Sequence, residues 1–123
     1  MNRKKILLVD DSKTALFMEH MILKKESFEI VTASDGEEGV AKALAERPDL
    51  ILMDMVMPKM TGLEAVRELR RQPATRSIPV IMVTTRGEME NVESGYASGC
   101  NDYLTKPIDP AMLVAKVRDC LGR

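Results

Sequence analysis

Five short runs rich in apolar or β-forming residues limit what this chain can fold into: Lys5 to Val9, Phe28 to Ala33, Leu50 to Met53, Pro79 to Thr84 and Asp102 to Thr105. Each has strand length, and each is followed by helical spacing or a helix-starting signal. Strands that are apolar almost throughout belong to a sheet covered on both faces. Strict alternation of strand and helix predicts an α/β fold with a parallel sheet. The expected architecture is a doubly wound, five-stranded sheet in the order 2-1-3-4-5, formed by a single domain over residues 1–123.

The helices between the runs carry their own punctuation. Ser12 is an N-cap candidate for a helix to about Lys25, with Ala15, Met18 and Ile22 as its apolar stripe. Ser34-Asp35-Gly36-Glu37 reads as a capping box for a second helix that carries Val40, Ala43 and Leu44 and stops before Pro48. Thr61-Gly62-Leu63-Glu64 reads as another, opening a helix to Arg71 with Leu63, Val66 and Leu69 inward. Glu88 to Ser98 is a weak fourth helix, containing Gly95 and few strong helix formers. Asp109 caps the fifth with Pro110 at its first position, and Leu113, Val117, Cys120 and Leu121 form its stripe.

Composition excludes several classes of function. Net charge is −1, so no global field draws nucleic acid or an anionic membrane. Aromatic residues are 3% of the chain and Trp is absent, which leaves few stacking platforms for single-stranded bases. No apolar run reaches membrane-spanning length, and the basic start lacks the core and cleavage site of a signal peptide. Cys100 and Cys120 have neither CxxC nor metal-ligand spacing and read as free thiols of a reducing, cytoplasmic compartment. His20, the one histidine, falls in a helix away from any nucleophile.

In a parallel sheet of this kind the carboxyl ends of the strands share one edge, where ligands bind. The first strand delivers Asp10 and Asp11 there, the third Asp54, the fourth Thr84 and the fifth Lys106. Three aspartates and a lysine carry a formal charge of −2, which a divalent cation cancels. All-oxygen ligands with open positions favour Mg²⁺, with Mn²⁺ as an alternative. A metal, a lysine and a hydroxyl suit a phosphoryl group, and a carboxylate can be the nucleophile that accepts it. A nucleotide site would need glycines after the first strand, where Asp10-Asp11-Ser12-Lys13 stands instead. Taken singly, each residue has an ordinary reading as a cap, a loop carboxylate or a surface lysine. The signal is their joint delivery to one edge.

Val9-Asp10-Asp11-Ser12, Asp54 with Met57-Pro58 and Thr61-Gly62, Val83-Thr84, and Tyr103-Leu104-Thr105-Lys106-Pro107 together resemble the receiver domain of two-component response regulators, of the stand-alone chemotaxis-regulator type. The resemblance spans essentially the whole chain and implies a flavodoxin-like (βα)5 fold. It implies Asp54 as phosphoacceptor, and Asp11, Asp54 and the Val56 backbone carbonyl as Mg²⁺ ligands, with Asp10 acting through a metal-bound water. Lys106 would pair with the phosphoryl group and Thr84 would hydrogen-bond it. Tyr103 would turn inward as Thr84 moves, and the Lys106–Pro107 bond would be cis. Val56 and Arg86 would modulate phosphate lifetime, and an apolar Val56 predicts slow dephosphorylation.

The partners implied are a histidine kinase or phosphotransfer protein, with acetyl phosphate as a small donor, and a downstream target. The target would be bound through the fourth helix, fifth strand and fifth helix. No effector segment is expected after Arg123, so the chain would act by binding a partner or belong to a larger regulator. Direct DNA binding is unsupported. Homodimerisation on phosphorylation stays open. The chain would be no enzyme beyond its own phosphorylation and dephosphorylation. Two other readings are a metal-dependent phosphohydrolase, disfavoured because Asp54-Met55-Val56 lacks a second carboxylate, and a receiver-like binder that is never phosphorylated.

Overall fold

The computed structural model describes residues 3–85 and 99–122. Five strands, β1 (Lys5–Val9), β2 (Glu29–Ala33), β3 (Leu50–Asp54), β4 (Val80–Thr84) and β5 (Asp102–Thr105), pair in parallel in the order β2-β1-β3-β4-β5. The expected topology is therefore observed. Four helices are described: α1 (Lys13–Lys24), α2 (Gly36–Glu46), α3 (Gly62–Arg71) and α4 (Pro110–Cys120), which is the fifth of the expected helices. The expected helix at Glu88 to Ser98 lies outside the described residues.

The alternation of side chains along each strand divides the interior into two cores. Leu7, Val9, Ile51, Met53, Val80 and Met82 face α2 and α3. Ile6, Leu8, Leu50, Leu52, Ile81 and Val83 face α1 and α4. The central strands β3 and β4 are buried at every position. A fully buried Leu or Ile contributes roughly 1.5–3 kcal/mol, so β3 and β4 anchor the site firmly from beneath. Both outer strands are only partly covered.

Four caps set where the described helices begin, and at α1 Ser12 accepts from Ala15 N at 3.2 Å, as expected. The Thr61 hydroxyl accepts from Glu64 N at 3.2 Å, and the Glu64 carboxylate accepts from Thr61 N at 2.9 Å, the reciprocal box expected there. Asp109 accepts from the amides of Ala111 and Met112, ahead of Pro110. At α2 the register differs from expectation by one residue. Asp35, not Ser34, is the N-cap and accepts from Glu38 N at 2.8 Å, while Glu38 reaches back to the amide and hydroxyl of Ser34. A second correction concerns α1. Met18 is 56% exposed, and the buried positions are Glu19 and Leu23. Ala15 and Ile22 are half-buried, and Ile22 packs on the core that holds Leu23 with Leu113 and Val117 of α4, so Met18 alone leaves the expected stripe and Glu19 takes the buried place beside it.

At the opposite edge of the sheet, Arg70 ties α3 to the entry of β5. Its guanidinium donates to the carbonyls of Gly99 at 2.8 and 3.0 Å and Ile78 at 2.8 Å, and to Asn101 Oδ1 at 3.1 Å.

Candidate functional site

The edge where β1, β3 and β4 end gathers the acidic residues. Asp54 closes β3, and Asp10 directly follows β1, its amide donating to Ala33 O at 3.1 Å so that the ladder continues one residue past the strand. Both carboxyl groups are buried, Asp10 at 1% and Asp54 at 6% exposure, whereas Asp11 faces solvent. One oxygen from each of Asp10, Asp11 and Asp54 lies within 4.8 Å of the other two. Asp10 Oδ1 accepts from Ser12 N at 2.9 Å, which fixes that carboxylate at the start of α1.

Lys106 enters this cluster from the end of β5. Its Nζ is 3.2 Å from Asp10 Oδ2 and 3.4 Å from Asp54 Oδ1. Its own amide donates to Thr84 O at 2.6 Å, which ties the β5 turn to the end of β4. The Lys106–Pro107 peptide is cis, as the resemblance implied.

The electrostatics follow from crowding acids in a buried place. Burial, then the charge of Asp10, lifts the Asp54 carboxyl to about 6, against the opposing pull of Lys106. Burial tends to discharge Lys106, but the charges of Asp54 and Asp10 outweigh it and leave its pKa raised. Carboxylates that repel one another, two of them buried and one facing solvent, fit a hard divalent cation: its charge relieves the repulsion, and all three donors are oxygens.

Thr84 is fully buried, with its hydroxyl donating to Thr85 O at 3.0 Å. Tyr103 is half-buried on β5, with Lys116 Nζ 5.8 Å from its ring centroid and Lys116 paired to Asp102 at 3.0 Å. Val56, two residues after Asp54, exposes 58% of its surface. Arg86 lies outside the described residues. Cys100 and Cys120 are free thiols, both pushed up by burial, and Cys100 packs in a core away from the acidic edge.

Two features of the site escaped the sequence reading. A Cβ on Gly62 would come within 2.4 Å of Asp54 O and 2.8 Å of Met55 Cα, so only glycine lets α3 start against the backbone that carries Asp54. Glu19, 3% exposed on α1, is held up to about 8 first by burial and then by Asp10, with Lys106 opposing. Its signal was present: a carboxylate four residues after Ala15 and three before Ile22 falls on the apolar face.

A model of the response regulator receiver domain matches residues 6–118. Protein PilH of Pseudomonas aeruginosa is 40% identical over 118 residues, covering 96% of this chain and 98% of PilH. Several other curated relatives are longer, and the chain spans about half of their length or less. Among solved structures, chemotaxis protein CheY4 of Vibrio cholerae superposes with a TM-score of 0.91 at 36% identity, over 97% of this chain and 99% of that one. The receiver domain of sensor histidine kinase PA1611 from Pseudomonas aeruginosa PAO1, solved with a magnesium ion in its active-site cleft, gives 0.91 at 31% identity, over 99% and 100%. The strand order, the acidic edge with its lysine and this match over nearly all of its length agree: the chain belongs to the response regulator receiver domain family.

Proposed function

We propose that the chain is a phosphorylation-controlled signalling module that accepts a phosphoryl group on Asp54 and changes partner binding as a result. The observation that carries this reading is the placement of Lys106 Nζ 3.4 Å from Asp54 Oδ1, in a cleft where Asp10 and Asp11 present oxygens within 4.8 Å of it. Asp10, Asp11 and Asp54 would hold Mg²⁺, with the Val56 carbonyl as a further ligand. The cation would supply Lewis-acid neutralisation of charge on the incoming phosphoryl oxygens.

An oxygen of Asp54 attacks phosphorus, and the bond to the donor's leaving group breaks as that group departs with its electron pair. Lys106 shares the charge on the phosphoryl oxygens, as a cation already placed needs no reorganisation to do so. Burial of Asp54 keeps water away from the new acyl phosphate. The added oxygens offer Thr84 a stronger acceptor than the Thr85 carbonyl it uses now. Tyr103, on the strand beside Thr84, is placed to follow, and the face carrying Tyr103 and α4 would present the change to a target. Phosphoryl donors would be a histidine kinase, a phosphotransfer protein or acetyl phosphate, and the setting would be the cytoplasm.

The test is intact-mass measurement after incubation with Mg²⁺ and acetyl phosphate, for wild type and Asp54→Asn. A phosphoryl adduct on wild type alone is expected. An adduct on neither protein overturns the reading in favour of a binder that is never phosphorylated. Continuous phosphate release from assorted monoesters would instead mark a phosphohydrolase.

A further inference from the structure

Glu19 has no role in the reaction as described, yet it is one of few buried charged residues among those described. It lines a cavity of about 170 Å³ between α1 and the turn after β5. Ala15, Met18, Ile22 and Ile108 make most of that wall apolar, and the charged residues lining it are Glu19 and Lys106. The lysine's ion pairs are with Asp10 and Asp54. A carboxyl group in such a cavity is unfavourable unless a cation offsets it. Lys106, an ammonium on a flexible four-carbon stem, lines the same cavity.

Lys106 and a divalent cation draw on the same two buried carboxylates. When the cation is held there, Lys106 loses part of its attraction to Asp10 and Asp54 and is repelled by like charge. We propose that Glu19 is a positioning residue for Lys106: it offers the lysine a second acidic partner across the cavity, so that Lys106 can yield Asp10 and Asp54 to the metal and remain beside the site. This rests on the reading of Asp10, Asp11 and Asp54 as a cation site. The upward shift of Glu19, opposed by Lys106, fits a carboxyl group that already feels the lysine's charge.

The experiment is a double-mutant cycle on Mg²⁺ affinity, read by calorimetry on unphosphorylated protein at about pH 9, above the value of about 8 to which the Glu19 carboxyl is lifted, so that it is ionised: wild type, Glu19→Leu, Lys106→Ala and the double variant. Without Glu19, Lys106 stays on the carboxylates and competes, so Glu19→Leu should weaken Mg²⁺ binding on the order of tenfold, the size of one charge-assisted contact. In the Lys106→Ala background the same change should cost less than about twofold, because the competitor is gone. A structural role for Glu19 would not depend on Lys106. Glu19→Gln, closer in shape, gives the same direction and serves if the leucine variant does not fold.

Equal affinity of wild type and Glu19→Leu overturns the inference. So does an equal loss in both backgrounds, which would mean that Glu19 attracts the metal directly. If wild type binds Mg²⁺ and takes acetyl phosphate while the coupling is absent, this inference alone fails. If wild type binds no Mg²⁺, it falls together with the cation site.

Discussion

Glu19→Gln is the change whose effect on stability can be worked furthest from the structure. Glu19 is 3% exposed, and its carboxyl is lifted from 4.5 to about 8. The folded protein thus holds this proton more tightly than the unfolded chain does. Between those two values the folded state binds more protons, so stability falls as pH rises through the window and levels off above about 8. At 1.36 kcal/mol per pKa unit, the unfavourable contribution is roughly 1 kcal/mol at pH 5 and grows to roughly 4 at pH 8. Glutamine has the same shape and no charge to bury. The variant should therefore match wild type within about 1 kcal/mol at pH 5 and exceed it by several at pH 8. Urea unfolding of both proteins from pH 5 to 8, in chelator so that no divalent cation screens the acidic edge, reads the difference directly. A stability gap that does not widen with pH would refute the reasoning, because Glu19 would then be ionised freely in the folded state.

Other expectations follow from the same geometry. Mg²⁺ should raise the melting temperature by mass action, and more at pH 8 than at pH 5, because protons compete for Asp54 below its value of about 6; a thermal shift independent of pH would speak against metal binding at Asp54. Gly62→Ala should cost about 2–4 kcal/mol in urea unfolding, since the new Cβ meets backbone atoms of Asp54 and Met55 that cannot step aside; a loss under about 1 kcal/mol would mean that α3 can shift freely. Val56→Asn should shorten the lifetime of the phosphorylated protein, because an amide two residues from Asp54 can hold a water that valine cannot. Rapid loss of phosphate in both proteins, measured by mass after removing donor, would count against that role for Val56.

The parts of this molecule that were legible in sequence are those set by chain direction and spacing. A parallel sheet puts every strand's carboxyl end at one edge, so Asp10, Asp54, Thr84 and Lys106 could be placed together without side-chain geometry. The Thr61–Glu64 box was legible because both halves of the motif stand at their required spacing. At α2 two capping candidates are adjacent, and the choice of Asp35 over Ser34 depends on Glu38 folding back onto Ser34. Gly62 could be seen as a helix start. That it must be glycine depends on how closely α3 approaches β3, which is a tertiary fact.

The error in α1 has a more instructive cause. A helical face drawn from apolar residues puts Met18 inward, whereas Met18 is exposed and its neighbour Glu19 is buried. Hydrophobic burial alone would favour Met18 inside by roughly 1.5–3 kcal/mol. Neighbours on the same helix decide otherwise: Leu23 is fully buried, and Glu19 lies one turn before it, so burying one brings the other inward. The fold thus carries an acidic group next to Lys106 at a cost in stability that grows with pH. Elsewhere in the interior such a residue would be plain frustration. Here it faces a cavity shared with the lysine that already serves two other carboxylates, and any cation entering the site changes which of the three that lysine can hold. Stability in chelator and Mg²⁺ affinity should then move in opposite directions when Glu19 is neutralised, and a change in which both rise together would separate the buried charge from the chemistry of the site.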